Sequence, residues 1–431
     1  MKYIKSFICI VLIMVLFSGC SLRLASSVND LISALSPFGE NASIKGAMDS
    51  YLTKGYSLKN PTSGEYITSY NFYDIDNDGV SEAIAFYETK DALGVAKMAL
   101  LKPNGNKWDV MSTIDGLGES AYRLDFCDID NDSQTEVLVC WNSISNSTSH
   151  SFIVYNIDYD DNYNFVPLGE TKTINNYYID DFTGGGNNEL LLLQISSGTK
   201  NSSKAELYDL SNGYDLIGET KLDSRVLSYN NLISEKVNGS VRLYADAIGS
   251  SGETKLTEIL YYSNTYDSVI SPFYSYNTGT TTGTSRSCLI NSMDINSDNS
   301  IEIPTDAYYD SFPEGIYSID WKVYKNTVLM HTNYSLYVKD DNYTVVVPDD
   351  YLEKINVLYD KDTRVLSVNA KDNNEPVFEI LPVLKAVYED KKFSDYILIT
   401  ENNGYYYLAK SYENKNINIT MDDLKEYIKI C

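Results

Sequence analysis

Three short segments of the sequence place oxygen-bearing side chains at alternate positions, with a glutamate four residues further on. The first, residues 74–82, reads DIDNDGVSE, and Gly79 at its sixth position suits a tight turn. Calcium takes about six to eight hard oxygen ligands, and alternate carboxylates on a curled loop supply them, with the seventh residue adding its backbone carbonyl. Clustered carboxylates also repel one another unless a cation neutralises them. We therefore predict three structural Ca2+ sites with these ligands: Asp74, Asp76, Asp78, Val80, Glu82, Asp128, Asp130, Asp132, Gln134, Glu136, Asp294, Asn296, Asp298, Ser300 and Glu302.

A fourth, degenerate segment has the same layout, and all four are named by position: loop 1 (74–82), loop 2 (128–136), loop 3 (181–189) and loop 4 (294–302). Loop 2 has Ser133 where loop 1 has its glycine, which predicts a strained turn. Loop 4 has Asn299 there, a residue that tolerates a left-handed backbone. Loop 3 has Thr183 and Gly185 at two ligand positions, so we expect it to form its turn without metal. An Asp- and Asn-rich turn that binds no ion is the alternative for every loop.

The loops recur at a regular interval. The first three leading aspartates are 54 and 53 residues apart, and the fourth follows after 113, close to two such intervals. A unit without an acidic loop is expected near residue 237, where KVNGSVRLYADAI predicts a plain turn and a strand. In each unit one apolar strand enters the loop, a second leaves it and two more follow around Gly turns, which is typical of a four-stranded propeller blade. We predict a mainly β fold, a β-propeller with five visible blades and a sixth or seventh in residues 45–70 and 313–345.

The pattern D-x-D-x-D-G-x-x-E between apolar strands resembles the FG-GAP or VCBS-type repeat of integrin-like propellers. The EF-hand differs, because its bidentate glutamate stands at the twelfth position and helices flank its loop. The resemblance covers roughly residues 60–310 and is specific at the loops. It implies a propeller with calcium in inter-strand loops, and it implies no activity.

The N-terminal residues have the composition of a targeting segment. Lys2 and Lys5 precede an apolar run over residues 7–17, which is shorter than the about 20 residues of a membrane-spanning helix. The stretch LFSGC at its end resembles the bacterial lipobox, which implies that Cys20 is lipidated and anchors the chain to the membrane on its extracytoplasmic side. We predict this division: residues 1–19 a signal peptide, 20–43 a lipidated tether, 44–341 the propeller and 342–431 a small α+β domain, with helices over 44–56 and 421–430.

The chain is strongly acidic. It has 34 Lys and Arg against 60 Asp and Glu, a formal net charge of −26. Such a surface repels phosphate backbones, so we expect no nucleic-acid partner, whereas metal ions, cationic ligands and neutral sugars stay compatible. The sequence favours a membrane-anchored, non-catalytic surface module that binds a glycan, a wall polymer or a protein.

Groups that could do covalent chemistry are few. Two histidines occur, His150 and His331, and the sequence has no P-loop, G-x-S-x-G elbow, H-E-x-x-H or paired C-x-x-C. His150 lies in the polar stretch NSTSHSF and is expected in solvent. A surface enzyme acting on carbohydrate or peptide is one alternative, with Asp310 or Asp320 as acid and base. A structural subunit of an envelope complex is another.

Two further groups carry expectations about packing. Arg286 is expected to pair with a carboxylate, and the alternative is a place at the propeller mouth. Cys127, Cys140 and Cys288 are interpreted as small core residues on strands, and a disulfide between the first two stays open.

Overall fold

The computed structural model describes residues 39–143, 146–160, 163–196, 202–307, 312–388 and 392–431. The predicted signal peptide and Cys20 lie outside these residues. Within them the chain is mainly β, with six antiparallel sheets, one two-stranded ribbon and three α-helices. No helix of the described residues is long and apolar enough to cross a membrane.

The N-terminal part forms helix α1 and sheets 1 and 2. Helix α1 is Glu40–Tyr51, which begins and ends earlier than predicted. Gly55 follows it with a φ of 80°, a conformation that no helix interior allows. Sheet 1 contains β1 (Tyr56–Lys59), β2 (Tyr70–Tyr73), β3 (Glu82–Thr89), β4 (Lys97–Asn104) and β5 (Lys107–Asp115), and sheet 2 contains β6 (Ala121–Cys127), β7 (Glu136–Ser143), β8 (Asn146–Asp158), β9 (Asn164–Pro167) and β10 (Lys172–Ile174).

The middle of the chain forms sheets 3 and 4 and the ribbon. The predicted loopless unit is present as a tight hairpin in sheet 4, whose turn is Asn238–Gly239, both with positive φ. The strands are β11 (Asn176–Asp180), β12 (Glu189–Gln194), β13 (Lys204–Asp209) and β14 (Asp215–Lys221) in sheet 3, β15 (Val226–Val237), β16 (Ser240–Gly249), β17 (Lys255–Ser263) and β18 (Ser268–Ile270) in sheet 4, and β19 (Tyr274–Ser275) and β20 (Thr280–Thr281) in the ribbon.

The C-terminal part forms sheets 5 and 6. Its elements are β21 (Glu302–Asp306), β22 (Ile316–Lys325), β23 (Val328–Val338), a 3-10 turn (Lys339–Asp341), β24 (Tyr343–Val347), α2 (Asp349–Leu352), β25 (Ile355–Asp360), β26 (Val365–Ala370), β27 (Pro376–Leu384), a 3-10 turn (Lys385–Val387), β28 (Ile397–Asn402), β29 (Tyr405–Ser411), α3 (Met421–Tyr427) and β30 (Ile428–Ile430). Sheet 5 has the order β21-β22-β23-β24-β30, and sheet 6 has the order β25-β26-β27-β29-β28.

Strand number varies among the sheets. Sheets 3 and 4 have four strands each, paired in sequence order. In sheet 1, β1 and β2 pair one after the other along β3, and in sheet 2, β9 and β10 do the same along β8. Sheets 5 and 6 have five strands each, and in neither are all paired neighbours consecutive in sequence: β30 pairs with β24 in sheet 5, and β29 lies between β27 and β28 in sheet 6. The prediction of uniform four-stranded units is therefore correct only in part.

Apolar side chains fill the spaces between successive sheets. Phe86 of sheet 1 and Trp141 of sheet 2 are fully buried, with ring centroids 5.5 Å apart. Similar clusters join sheet 2 to 3, sheet 3 to 4, sheet 4 to 5 and sheet 5 to 6. The sheets therefore pack face to face in chain order, as hydrophobic alternation along each strand requires.

Helix α1 covers the other face of sheet 1. Ile44 and Met48 are fully buried there against Ala83, Ala85 and Leu101, whose neighbours in sequence point into the space between sheets 1 and 2. No apolar cluster of the described residues joins sheet 1 to sheet 6. A closed ring of blades is therefore not observed in this part of the chain.

The last helix and strand differ from the prediction of one helix over residues 421–430. Helix α3 begins at Met421 behind a capping box formed by Thr420 and Asp423, and it ends at Tyr427. The next three residues are β30, which pairs with β24. The predicted domain boundary at residue 342 falls between β23 and β24, which are hydrogen-bonded neighbours, and the domain division stays a prediction.

Candidate metal loops and acid–base cluster

Each acidic loop leads into the first residue of a buried strand. Loop 1 joins β2 to β3, loop 2 joins β6 to β7, loop 3 joins β11 to β12, and loop 4 ends on β21. The closing glutamate is that first residue each time, and all four are at most 5% exposed: Glu82, Glu136, Glu189 and Glu302. The predicted strand-turn-strand arrangement is confirmed for loops 1 to 3, whereas loop 4 is preceded by the isolated bridge residue Met293 and not by a strand.

The four loops share one backbone hydrogen-bond pattern. The amide of the second residue donates to the closing glutamate over 2.9, 2.8, 2.7 and 3.1 Å in loops 1 to 4. The amide of the sixth residue donates to the leading aspartate over 2.8–3.1 Å. That sixth residue has positive φ, including 72° at Ser133 and 67° at Asn299. Ser133 therefore carries the strain that the sequence predicts, because few side chains adopt this conformation.

Loop 2 concentrates negative charge, and no Lys or Arg of the described residues forms an ion pair with its carboxylates. Oxygens of Asp128, Asp130 and Glu136 lie within 4.8 Å of one another, and Asp128 Oδ1 is buried without a hydrogen-bond partner. Burial raises the pKa of Glu136 to about 7, and the charges of Asp130 and Asp132 act in the same direction. A hard divalent cation such as Ca2+ fits this donor set.

Loop 4 also has a buried carboxylate oxygen without a hydrogen-bond partner, in this case on its closing glutamate. Glu302 is fully buried, and its Oε1 has no hydrogen-bond partner. Burial raises the pKa of Glu302 to about 7, with Asp298 and Asp294 adding to the effect. A buried carboxylate oxygen without a partner, in the same loop as Asp294 and Asp298, is a donor that Ca2+ accepts.

Loop 1 differs, because a lysine lies among its carboxylates. Lys102 Nζ is 2.9 Å from Asp78 Oδ2 and 2.9 Å from Glu82 Oε1, and it also contacts Asp76 Oδ2. Lys102 lies 20 residues beyond Glu82, outside the loop motif, so the loop sequence gives no sign of it. The strand register brings the two together, since Ala83 faces Leu101 across β3 and β4.

Loop 3 satisfies its own glutamate. Thr183 Oγ1 donates to Glu189 Oε1 over 2.6 Å, and the amides of Phe182 and Thr183 donate to Oε2. The amides of Gly184 and Gly186 occupy both oxygens of Asp181. Loop 3 thus closes its turn with hydrogen bonds of its own, and its lack of a metal stays a prediction.

A second cluster of ionisable groups lies on sheet 5 and on α2. His331 Nδ1 is 2.6 Å from Asp320 Oδ1, and His331 Nε2 is 3.1 Å from Asp349 Oδ2. A register shift between β22 and β23 falls beside Lys322, which faces His331, and such bulges re-aim side chains. Asp320 was predicted as an acid or base, whereas Asp310 lies outside the described residues.

The two carboxylates of this cluster differ in exposure. The side chain of Asp320 is 15% exposed, that of His331 32% and that of Asp349 56%. Burial alone would lower the pKa of His331, but its hydrogen bonds to Asp320 and Asp349 raise it above the ordinary value. The imidazole is therefore held on one side by a sheltered carboxylate, while its other nitrogen faces a carboxylate that is more than half exposed.

Other predicted residues are found in the interior. His150 is buried, not solvated: it lies on β8, stacks on Tyr122 at 3.7 Å, and burial lowers its pKa to about 4. Arg286 is fully enclosed and pairs with Asp246 at 2.7 Å, which confirms its predicted partner type. Cys140 is buried on its strand.

The remaining cysteines correct one detail. Cys127 and Cys140 are both free thiols, so no disulfide joins them. Cys288 is buried as predicted, but it lies in a bend and not on a strand.

No protein-family model and no curated protein matches this chain. Among solved structures it is similar to Sqt1 of Saccharomyces cerevisiae, with TM-score 0.30, 11% identity and coverage of 78% of this chain and 86% of that chain. It is also similar to the exotype rhamnogalacturonan lyase YesX, with TM-score 0.30, 10% identity and coverage of 74% and 71%. A third is the exo-β-1,3-galactanase of Phanerochaete chrysosporium, with TM-score 0.28, 10% identity and coverage of 76% and 80%.

These matches correct the expected function. The prediction of a non-catalytic binding module is contradicted, because the similar structures include carbohydrate-active enzymes. At TM-scores this low, the matches assign neither a reaction nor a residue role to this chain.

Proposed function

We propose that this chain is a carbohydrate-active protein of the bacterial surface, with Ca2+ held in its acidic loops. The activity is assigned to the cluster of Asp320, His331 and Asp349. The observation that carries this assignment is the 2.6 Å hydrogen bond from His331 Nδ1 to the sheltered Asp320, with the second nitrogen of the ring against the more exposed Asp349.

The cluster has the parts of a general acid–base catalyst. Asp320 fixes the orientation and the tautomer of the imidazole, as a carboxylate does in hydrolytic triads. Asp349 is exposed enough to swing away, and His331 Nε2 then reaches a substrate oxygen. The raised pKa of His331 favours the protonated ring, which suits it to protonate the leaving glycosidic oxygen while a water molecule adds to the anomeric carbon and releases its proton to solvent.

The surroundings favour a neutral glycan as substrate. A net charge of −26 repels phosphate esters and other anionic polymers, whereas it leaves uncharged sugars unaffected. The ring of Tyr334 lies 4.3 Å from that of His331, and the same side chain packs against the apolar core between sheets 5 and 6.

The two-carboxylate geometry of most glycosidases is not present in this cluster. The imidazole fills the space between Asp320 and Asp349, where the scissile bond and a water would otherwise lie. His331 is therefore assigned the proton transfer, and Asp320 the role of positioning residue.

The activity is tested with the full chain and a panel of neutral polysaccharides, by measuring released reducing ends. His331→Gln is expected to lower the rate by about 100-fold or more. Glu314→Gln, which changes an exposed carboxylate paired with Lys361, is expected to leave the rate unchanged. Failure to cleave any glycan, or full activity in His331→Gln, would contradict the proposal.

The calcium proposal depends on loops 2 and 4. Buried glutamates with raised pKa values and orphaned carboxylate oxygens support it. The FG-GAP-like sequence of the loops and the face-to-face sheets support a propeller-type scaffold around them. Thermal unfolding in EDTA and in millimolar Ca2+ tests the metal: we expect calcium, and not magnesium, to raise the midpoint.

The surface location depends on the lipobox-like stretch at Cys20. We propose that acyl chains on this residue hold the protein at the membrane. Metabolic labelling with a radioactive fatty acid tests it: the label is expected on the wild type and absent from Cys20→Ala. Equal labelling of both would exclude Cys20 as the lipidated residue.

A further inference from the structure

We infer that the ammonium group of Lys102 replaces the calcium ion in loop 1, so that this loop is a metal-independent copy of the calcium loops. The inference rests on the proposed calcium binding at loops 2 and 4. It makes the number of bound ions two, although loop 1 has the most complete set of ligand residues in the sequence.

The ammonium lies where the ion would. Lys102 Nζ contacts one oxygen from each of Asp76, Asp78 and Glu82, the third, fifth and ninth residues of the loop. These are three of the four side chains that would ligate Ca2+. The side chain of Lys102 is 20% exposed and that of Glu82 fully buried, so the contact is sheltered from solvent.

A neighbouring tyrosine completes the cage. The hydroxyl of Tyr163 donates to Asp76 Oδ2 over 3.0 Å, and its ring lies 5.2 Å from Lys102 Nζ. A cation over an aromatic face gains further stabilisation. Lys102 thus has three carboxylates and one ring around a single charge.

The lysine is specific to loop 1. It stands opposite the closing glutamate, one residue beyond the pair Ala83–Leu101. In sheet 2 the position opposite the closing glutamate is one residue beyond the pair Val137–Tyr155 and holds Asn156. In sheet 3 it is one residue beyond Leu190–Tyr208 and holds Asp209. In sheet 5, Glu302 is paired directly with Val323. Among the described residues, a positive side chain occupies this place in sheet 1 alone.

An ammonium and a calcium ion exclude each other from this loop. Calcium needs its oxygens at about 2.3–2.6 Å, with the carboxylates turned toward the centre that Nζ occupies. Two cations sharing three carboxylates would also repel each other at short range. Since Lys102 is covalently part of β4, it is present at every calcium concentration, and loop 1 keeps its shape when calcium is removed.

Calcium stoichiometry of the full chain tests the inference, measured by equilibrium dialysis after EDTA treatment. Wild type is expected to bind two ions and Lys102→Met three, since methionine keeps an unbranched side chain, one atom shorter, without the charge. Lys97→Met is the matched control, on the same strand and paired with an exposed carboxylate, and is expected to bind two. Equal numbers in wild type and Lys102→Met would overturn the inference.

The two proposals fail in different ways. If wild type binds no calcium and Lys102→Met binds one ion, the calcium function of loops 2 and 4 fails and the role of Lys102 stands. If wild type binds three, the function stands and the role of Lys102 fails. If Lys102→Met does not fold, the calcium stoichiometry of Asp76→Asn tests the inference instead. This variant is expected to bind two ions, as wild type does, if Lys102 fills loop 1. Loss of one bound ion would overturn the inference.

Discussion

Replacing Glu136 by glutamine is expected to change stability in opposite directions with and without calcium. Glu136 is 1% exposed, and its Oε2 accepts a hydrogen bond of 2.8 Å from the amide of Ile129. The carbonyl oxygen of glutamine can accept the same bond at nearly the same volume. The substitution therefore removes a negative charge from loop 2 and changes little else.

Without calcium, that charge destabilises the folded state. Burial raises the pKa of Glu136 from 4.5 to about 7, a difference worth about 3 kcal/mol when the group is fully ionised. A raised pKa in the folded state stabilises below about pH 4.5, and this contribution is lost as pH rises through about 7. At pH 8 in EDTA, Glu136→Gln is therefore expected to be more stable than wild type by up to about 3 kcal/mol.

With calcium, Glu136→Gln is expected to be less stable than wild type. An ion at a concentration 1,000-fold above its dissociation constant stabilises the folded state by about 4.1 kcal/mol per site, which exceeds the about 3 kcal/mol that the buried charge costs, and the variant loses one site. Urea unfolding at pH 8, followed by tryptophan fluorescence, measures both conditions. Trp141 reports on this region because it lies on β7, the strand that Glu136 begins.

Glu189→Gln in loop 3 is the matched control. It makes the same substitution at the same place in the next sheet, where Thr183 already satisfies the carboxylate. Its effect is expected to be the same in EDTA and in calcium. If Glu136→Gln lowers stability equally in both conditions, the glutamate is a structural hydrogen-bond acceptor and the metal assignment of loop 2 is wrong.

Three further predictions concern the scaffold. Arg286→Met is expected to cost about 3–5 kcal/mol in urea unfolding, because it leaves Asp246 buried without its partner, and adding Asp246→Asn should recover part of the loss. Glu258 is fully buried beside the Tyr229 hydroxyl, and burial raises its pKa to about 7. Between pH 5 and 8 the free energy of unfolding of wild type should therefore fall by up to about 3 kcal/mol relative to that of Glu258→Gln. Parallel curves of unfolding free energy against pH for the two proteins would contradict this. Trp141→Ala is expected to cost about 3–5 kcal/mol by opening a cavity between sheets 1 and 2, and a calorimetric loss under 1 kcal/mol would refute the packing there.

Local features of the structure could be predicted from the sequence. The loops begin and end where the D-x-D-x-D spacing places them, and the plain hairpin at Asn238–Gly239 lies where the repeat interval requires a unit. Both are set by short-range chemistry: carboxylates that cap their own backbone amides, and a turn that needs positive φ. The strained backbone of Ser133 could also be predicted, because the sixth position of the loop by itself requires positive φ.

Features that depend on packing between distant strands could not be predicted. Lys102 reaches loop 1 only because of the register of β3 against β4. His150 looked solvated from its polar neighbours, yet its strand places it against Tyr122. Helix α1 was expected, but nothing in its sequence says that it covers sheet 1. The acid–base cluster likewise joins residues 11 and 18 positions apart through a bulge.

The pairing of β24 with β30 has a mechanical consequence. Tyr343 faces Ile430 and Val345 faces Ile428, so sheet 6 departs from and returns to sheet 5 at the same end of this strand pair. A force that lifts sheet 6 therefore loads the two strands at one end, where their hydrogen bonds break one after another. Strands loaded at opposite ends would have to shear all their bonds together. Under tension, β30 should therefore separate from β24 before the hydrogen bonds among β21, β22 and β23 break.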